Sequence, residues 1–167
     1  MIQIYTGNGK GKTTAAIGLA IRAAGAGMKV YIAQFIKKGC YNEIKVLKKI
    51  KNIKLEQFGR GCFIKSAAAL KDKQLAAAGF KKVKQAVFAK KYDLIILDEL
   101  NICLKLKLLP LKEVVNLIKS TPKRVELVLT GRNCPAEIIK LADLVSVIQD
   151  KKHYYKSGVK ARRGIEF

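Results

Sequence analysis

At 167 residues, half of them hydrophobic, the chain suits one domain with its own core. No apolar run reaches the roughly eighteen residues a membrane span needs, so the expected home is the cytoplasm, with no membrane partner. The net charge of +22 is carried almost wholly by lysine, with arginine only at positions 22, 60, 124, 132, 162 and 163; base reading favours arginine and aromatics, so the excess reads as a solvated surface rather than a specific nucleic-acid site. Cys40, Cys62, Cys103 and Cys134 lie far apart without a C-x-x-C pair and with a single histidine, which argues against a zinc cluster or a disulfide framework and leaves reduced thiols that mostly pack.

The first element is an apolar strand, Ile2–Thr6, and the stretch TGNGKGKTT from position 6 to 14 follows it directly. Glycines let a loop turn its amides inward, and a lysine followed by a hydroxyl residue supplies one charge and one metal ligand, as phosphate cradling requires. Gly7, Asn8, Gly9, Lys10, Gly11, Lys12, Thr13 and Thr14 are therefore candidates for holding a nucleoside triphosphate. The common form G-x-x-x-x-G-K-[ST] needs a glycine where this chain has Thr6, so the spacing is the shorter G-x-x-x-G-K-T and the loop is expected to be tighter. An alanine-rich helix, Lys12–Ala26, opens at the lysine, which is expected to sit exposed at the junction.

Beyond it the pattern alternates. Buried strands are expected over Lys29–Phe35, Asp93–Asp98, Val125–Thr130 and Leu144–Ile148, and helices over Asn42–Lys51, Ser66–Lys91, Leu111–Lys119 and Pro135–Ala142. This order predicts an α/β fold with a mainly parallel sheet and helices on both faces. No boundary interrupts it, so the expected organisation is a single nucleotide-binding domain over 1–167, with 153–167 an irregular C-terminal tail.

Two strand ends carry further chemistry. LIILDE, at 94–99, ends in Asp98 and Glu99, the only adjacent acidic pair in the chain. Strand ends of an open parallel sheet are where ligands bind, and a Mg²⁺ or Mn²⁺ on the phosphates wants a carboxylate. Thr13, Asp98 and Glu99 are the candidate metal residues; period-two alternation sends the two carboxylates apart, one toward the metal or its waters and the other toward a neighbour. LTGRN, at 129–133, follows another strand, and the planar fork of Arg132 can reach a phosphate oxygen.

Taken together, YTGNGKGKTTAA, QFIKKG, FGRG, LDELN, LTGRNCP and KSGVKARRGIEF resemble, in order and over nearly the whole chain, the phosphate-loop class of ATP:corrinoid adenosyltransferases, also called cob(I)yrinic acid a,c-diamide adenosyltransferases. The resemblance implies a RecA-like P-loop fold, a homodimer, ATP as co-substrate, a reduced corrinoid as acceptor and a flavoprotein as its reductant. It implies transfer of the 5′-deoxyadenosyl group of ATP to Co(I) with release of triphosphate, in adenosylcobalamin synthesis or salvage. Lys12, Thr13 and Glu99 become the catalytic set, and Lys10, the Gly9–Thr14 amides and Arg132 join Lys12 in holding the leaving triphosphate. Relatives often carry Phe-Thr-Trp after a Gly-x-Gly such as 59–61, and an N-terminal extension ahead of the loop. Here Cys62-Phe63-Ile64 follows, tryptophan is absent, and five residues precede the loop, so Phe63 or Phe58 is the expected apolar wedge on the corrin side. The rival reading from composition is a RecA-like, nucleic-acid-stimulated ATPase.

Overall fold

The computed structural model describes residues 1–39, 41–61 and 70–166. Its elements, in chain order, are β1 (Ile2–Thr6), α1 (Lys12–Gly25), β2 (Val30–Ile36), α2 (Asn42–Leu47), β3 (Ile53–Gly59), α3 (Leu70–Phe88), β4 (Leu94–Asp98), α4 (Leu100–Lys105), α5 (Leu111–Ser120), β5 (Glu126–Thr130), α6 (Ala136–Ile139) and β6 (Leu144–Val147), followed by a 3₁₀ turn at Tyr154–Ser157. The strands form one six-stranded sheet in the order β3-β2-β4-β5-β1-β6. Every pairing is parallel, with Ile4 opposite Leu129 and Val145, and Ile32 opposite Leu55 and Ile96. The α/β, RecA-like P-loop architecture expected from the sequence is thus present.

Alternate residues along each central strand feed two different cores. Tyr31, Ala33 and Phe35 of β2 join Ile95, Leu97, Leu127, Leu129, Phe80, Val83 and Val114 on one side of the sheet. Val30 and Ile32 join Leu94, Ile96, Val128, Ala16, Ala20, Ala23 and Leu47 on the other. A strand apolar at every position is what a sheet covered on both faces demands. The alanines of α1 let that helix lie close to the strands, which fixes where its N-terminus points. Because all strands run the same way, the carboxyl ends of β1, β2, β4 and β5 share one rim.

The structure corrects several expectations. β3 and α4 were not expected; among the described residues β3 pairs with β2 alone, and it mixes Lys54, Glu56 and Gln57 into its run, so its pattern lacks the apolar signature of the centre. β6 was expected buried, yet all four of its residues are exposed, because it is the opposite edge of the sheet. Residues 66–69 of the long expected helix lie outside the described residues. Among the described residues, no helix is long and apolar enough to cross a membrane.

Candidate phosphate and metal site

The loop between β1 and α1 is built against the chain that follows β6. Gly7, at φ 94°, would place a Cβ 2.3 Å from the Ile148 carbonyl oxygen, so no other residue fits there without moving backbone. The Gly9 amide donates to that same carbonyl at 2.8 Å. The loop ends at Gly11, which caps α1 with no side-chain hydrogen bond, and the first turn of α1 holds no acidic residue. The Lys10 amide is already taken by Asp150 Oδ1 at 3.0 Å, while the positive end of the α1 dipole, over Gly11–Thr14, faces the rim and suits an anion.

Lys12 is buried rather than exposed, with only 7% of its surface accessible, and its ammonium turns back to donate to the Gly9 carbonyl at 2.5 Å. Burial, and then the charge of Arg132, hold its pKa below the ordinary lysine value. A desolvated ammonium with one weakly basic partner is a strong attractor for an oxyanion. Asn8 and Thr14 are exposed on the loop and the first turn. Lys10 points elsewhere: its ammonium meets Glu166 at 2.6 Å, the Tyr154 hydroxyl at 2.6 Å and the Ile165 carbonyl at 3.3 Å, tying the loop to the C-terminal segment. Tyr154 also donates to Glu166, whose carboxyl these partners, Lys10 first, hold well below the usual carboxylate range.

Thr13 and Asp98 are in direct contact. The Thr13 hydroxyl donates to Asp98 Oδ1 at 2.8 Å, joining α1 to the end of β4. Asp98 is almost fully buried and also accepts from Thr130 at 2.7 Å, from the Gln34 amide at 3.1 Å and from the Lys37 ammonium at 3.0 Å. Glu99 follows in the left-handed region, φ 61°, which turns its carboxylate away from the Asp98 direction while its amide donates to the Thr130 hydroxyl at 3.0 Å. Burial and the charge of Asp98 push the Glu99 carboxyl up, against the pull of Lys37, Lys12 and Arg132. For Lys37, burial alone would lower the pKa, but Asp98 and Glu99 outweigh it and the net direction is upward.

Gly131, at φ 126°, starts the turn after β5, and its carbonyl accepts from Thr6 at 2.9 Å and from the Asn101 amide at 3.0 Å. That anchors the exposed Arg132 on the rim, within electrostatic reach of both Lys12 and Glu99.

The oxygen set suits a hard divalent cation. The Thr13 hydroxyl and the two carboxylates lie 3.0–3.9 Å from the Lys37 ammonium beside the start of α1, and Mg²⁺ is usually held by one or two carboxylates plus phosphates rather than by a cage of protein ligands. Among the described residues, there is no group of three histidine, cysteine or acidic side chains that could hold a metal ion.

The structure brings Lys12, Thr13, Asp98, Glu99 and Arg132, the candidates named from the sequence, together on one rim. Gln34, Lys37 and Thr130 were missed; the signal for Lys37 was present, since QFIKKG follows a strand whose end lies on that rim. Phe63 lies outside the described residues. Phe58 is not a wedge on the surface: it packs 5.9 Å from Phe35 between ring centroids, and a Cβ on Gly79 would lie 2.5 Å from its ring, so it belongs to the core. Cys103 is buried, in line with a packing role, and Cys134 is half-buried.

The family described as "ATP:corrinoid adenosyltransferase BtuR/CobO/CobP" matches residues 1–167. Curated relatives include the corrinoid adenosyltransferase of Escherichia coli strain K12, 35% identical over 167 residues, which are 100% of this chain and 85% of that protein. The corrinoid adenosyltransferase CobA of Salmonella typhimurium is 35% identical with the same coverage. That of Pseudomonas aeruginosa is 34% identical over 169 residues, covering 100% of this chain and 83% of its own length.

Proposed function

This chain belongs to the ATP:corrinoid adenosyltransferase family, and we propose from that premise that its rim holds the triphosphate of ATP as a leaving group while a corrinoid takes the nucleoside. The enzyme is a corrinoid adenosyltransferase. The observation that carries the reading is the match to that family over residues 1–167, joined to a helix N-terminus without an acidic first turn and a buried Lys12 at its start.

In the reaction the Co(I) of the reduced corrinoid attacks C5′ of ATP. The cobalt–carbon bond forms, the C5′–O bond breaks, and its electron pair leaves on the triphosphate. No side chain needs to be the nucleophile, since Co(I) itself is one, so the protein's contribution is alignment, exclusion of water and stabilisation of the departing charge. Lys12, desolvated and held by a single carbonyl, is the principal cation for that charge. The Gly11–Thr14 amides add fixed dipoles, the Gly9 amide being taken by the Ile148 carbonyl and the Lys10 amide by Asp150, and Arg132 adds a second cation from the rim. Lys10 joins this set by leaving Glu166. Mg²⁺, when bound, supplies charge neutralisation on the triphosphate; the Thr13 hydroxyl and the carboxylates of Asp98 and Glu99 are the groups to hold it. Phe63 is proposed on the corrin side. A homodimer and a flavoprotein reductant complete the reading, and the apolar residues exposed on β6, Leu144, Val145 and Val147, support an edge covered by another chain.

Incubation with ATP, Mg²⁺ and chemically reduced corrinoid tests this. The expected outcome is the light-sensitive spectrum of a cobalt–carbon bond with stoichiometric triphosphate. Release of ADP stimulated by DNA or RNA, without alkylation of the corrinoid, would establish the rival ATPase instead.

A further inference from the structure

The last residue of β2, Ile36, has φ 67°, a conformation that β-branched residues rarely adopt. The Lys37 amide donates back to the Phe35 carbonyl at 2.6 Å, closing a three-residue γ-turn of the strained hand around Ile36. The neighbouring strand is adapted to it: Gly59 pairs with Ile36, and a Cβ there would fall 1.9 Å from the Ile36 carbonyl oxygen. Strain of this kind persists only where the surroundings impose it, and it collects at functional positions.

The strained turn delivers the Lys37 side chain onto the rim. Its ammonium lies 3.1 Å from the Thr13 hydroxyl, 3.0 Å from Asp98 Oδ2 and 3.9 Å from Glu99 Oε1, with the side chain 19% exposed. A single cation therefore sits among the same three oxygen-bearing side chains that suit a divalent ion. Metal and ammonium would both draw on the Asp98 and Glu99 carboxylates, so a bound metal crowds two cations together unless further negative charge arrives.

We propose that Lys37 is the resident cation of this site, a positioning residue that holds Thr13 and Asp98 in place and gives way to the metal only when a triphosphate arrives to accept its ammonium. The inference rests on the assignment of Thr13 and Asp98 to the metal. Metal alone must strand a largely buried ammonium; metal with triphosphate offers it phosphate oxygens. Nucleotide and metal binding are then coupled, and by linkage each strengthens the other by the same factor.

The test uses Mn²⁺ as probe, read by water-proton relaxation enhancement, with and without ATP. Wild-type protein is expected to bind Mn²⁺ weakly alone and far more tightly with ATP. Lys37→Met is expected to bind Mn²⁺ alone about 10-fold more tightly than wild type and to show less enhancement by ATP, and in each protein Mn²⁺ strengthens ATP binding by the same factor as ATP strengthens Mn²⁺ binding. Lys37→Arg keeps the charge and should stay near wild type. Lys37→Gln retains a hydrogen bond to Asp98 and serves if the methionine variant does not fold. Unchanged or weaker Mn²⁺ binding in the uncharged variants, with ATP-dependent Mn²⁺ binding still abolished by Asp98→Asn, overturns the role of Lys37 and leaves the metal assignment standing. ATP-dependent Mn²⁺ binding that survives Asp98→Asn removes the metal assignment and this inference together.

Discussion

Lys12→Ala is expected to weaken ATP binding by about 100-fold, or about 2.7 kcal/mol, measured by isothermal titration. The figure follows from removing a charge-assisted hydrogen bond, worth about 1.5–3 kcal/mol, at a site where burial has already taken the ammonium out of water. Folding should hardly suffer. The side chain makes one hydrogen bond, to the Gly9 carbonyl, and its charge at the start of α1 opposes the helix dipole, so the loss of one interaction is offset by relief of the other. A melting temperature within a few degrees of wild type, together with collapsed affinity, separates a binding role from a structural one. Unaltered affinity would reject the cradle.

Asp98→Asn is expected to damage both stability and turnover. The carboxylate accepts from Thr13, Thr130, Gln34 and Lys37, and an asparagine amide presents a donor where at least one of these also donates. The Lys37 ammonium loses its nearer counter-charge and keeps only Glu99 at 3.9 Å, and breaking a buried pair from one side costs about 3–5 kcal/mol. Taking about 3 kcal/mol gives a fall in melting temperature of about 6–12 °C in a chain of this size. Turnover should fall by about 100-fold or more, with a raised Mg²⁺ requirement, because the negative charge beside Thr13 is lost. Glu99→Gln makes the informative contrast. Its carboxylate reaches Lys37 only at 3.9 Å and its amide bond to Thr130 is backbone, so turnover should slow with little change in melting temperature. If neither variant alters the metal requirement, the acidic pair is structural.

Much of this site was legible because its residues are local to strand ends. The loop announces itself by glycine spacing, and Asp98, Glu99 and Arg132 each lie at or after the end of an apolar run that reads as a strand. What was not legible depended on distant chain. Lys10 carries the loop's second positive charge, yet it is held by Tyr154 and Glu166, and no local pattern reports a partner across the whole sequence. Lys37 was hidden because period-two alternation does not survive the γ-turn at Ile36, which re-aims the following side chain. Lys12 was misjudged as exposed since the loop's fold-back onto Ile148 is a tertiary event. In the fold, apolar composition identified β6 as a strand but not its place at an edge, and the polar residues of β3 concealed a strand that pairs on one side only.

The central claim is that the cradle holds a triphosphate that departs whole, without attack at the γ-phosphorus. The β,γ-imido analogue of ATP tests it most directly, because it resists cleavage between the terminal phosphates but leaves the C5′–O bond unchanged. With reduced corrinoid and Mg²⁺ it is predicted to alkylate cobalt at a rate within about 10-fold of ATP, releasing imidotriphosphate, since neither bridging bond at the cradle is broken. No cobalt–carbon product from the analogue, under conditions where ATP yields one together with ADP or orthophosphate in step, would contradict the account.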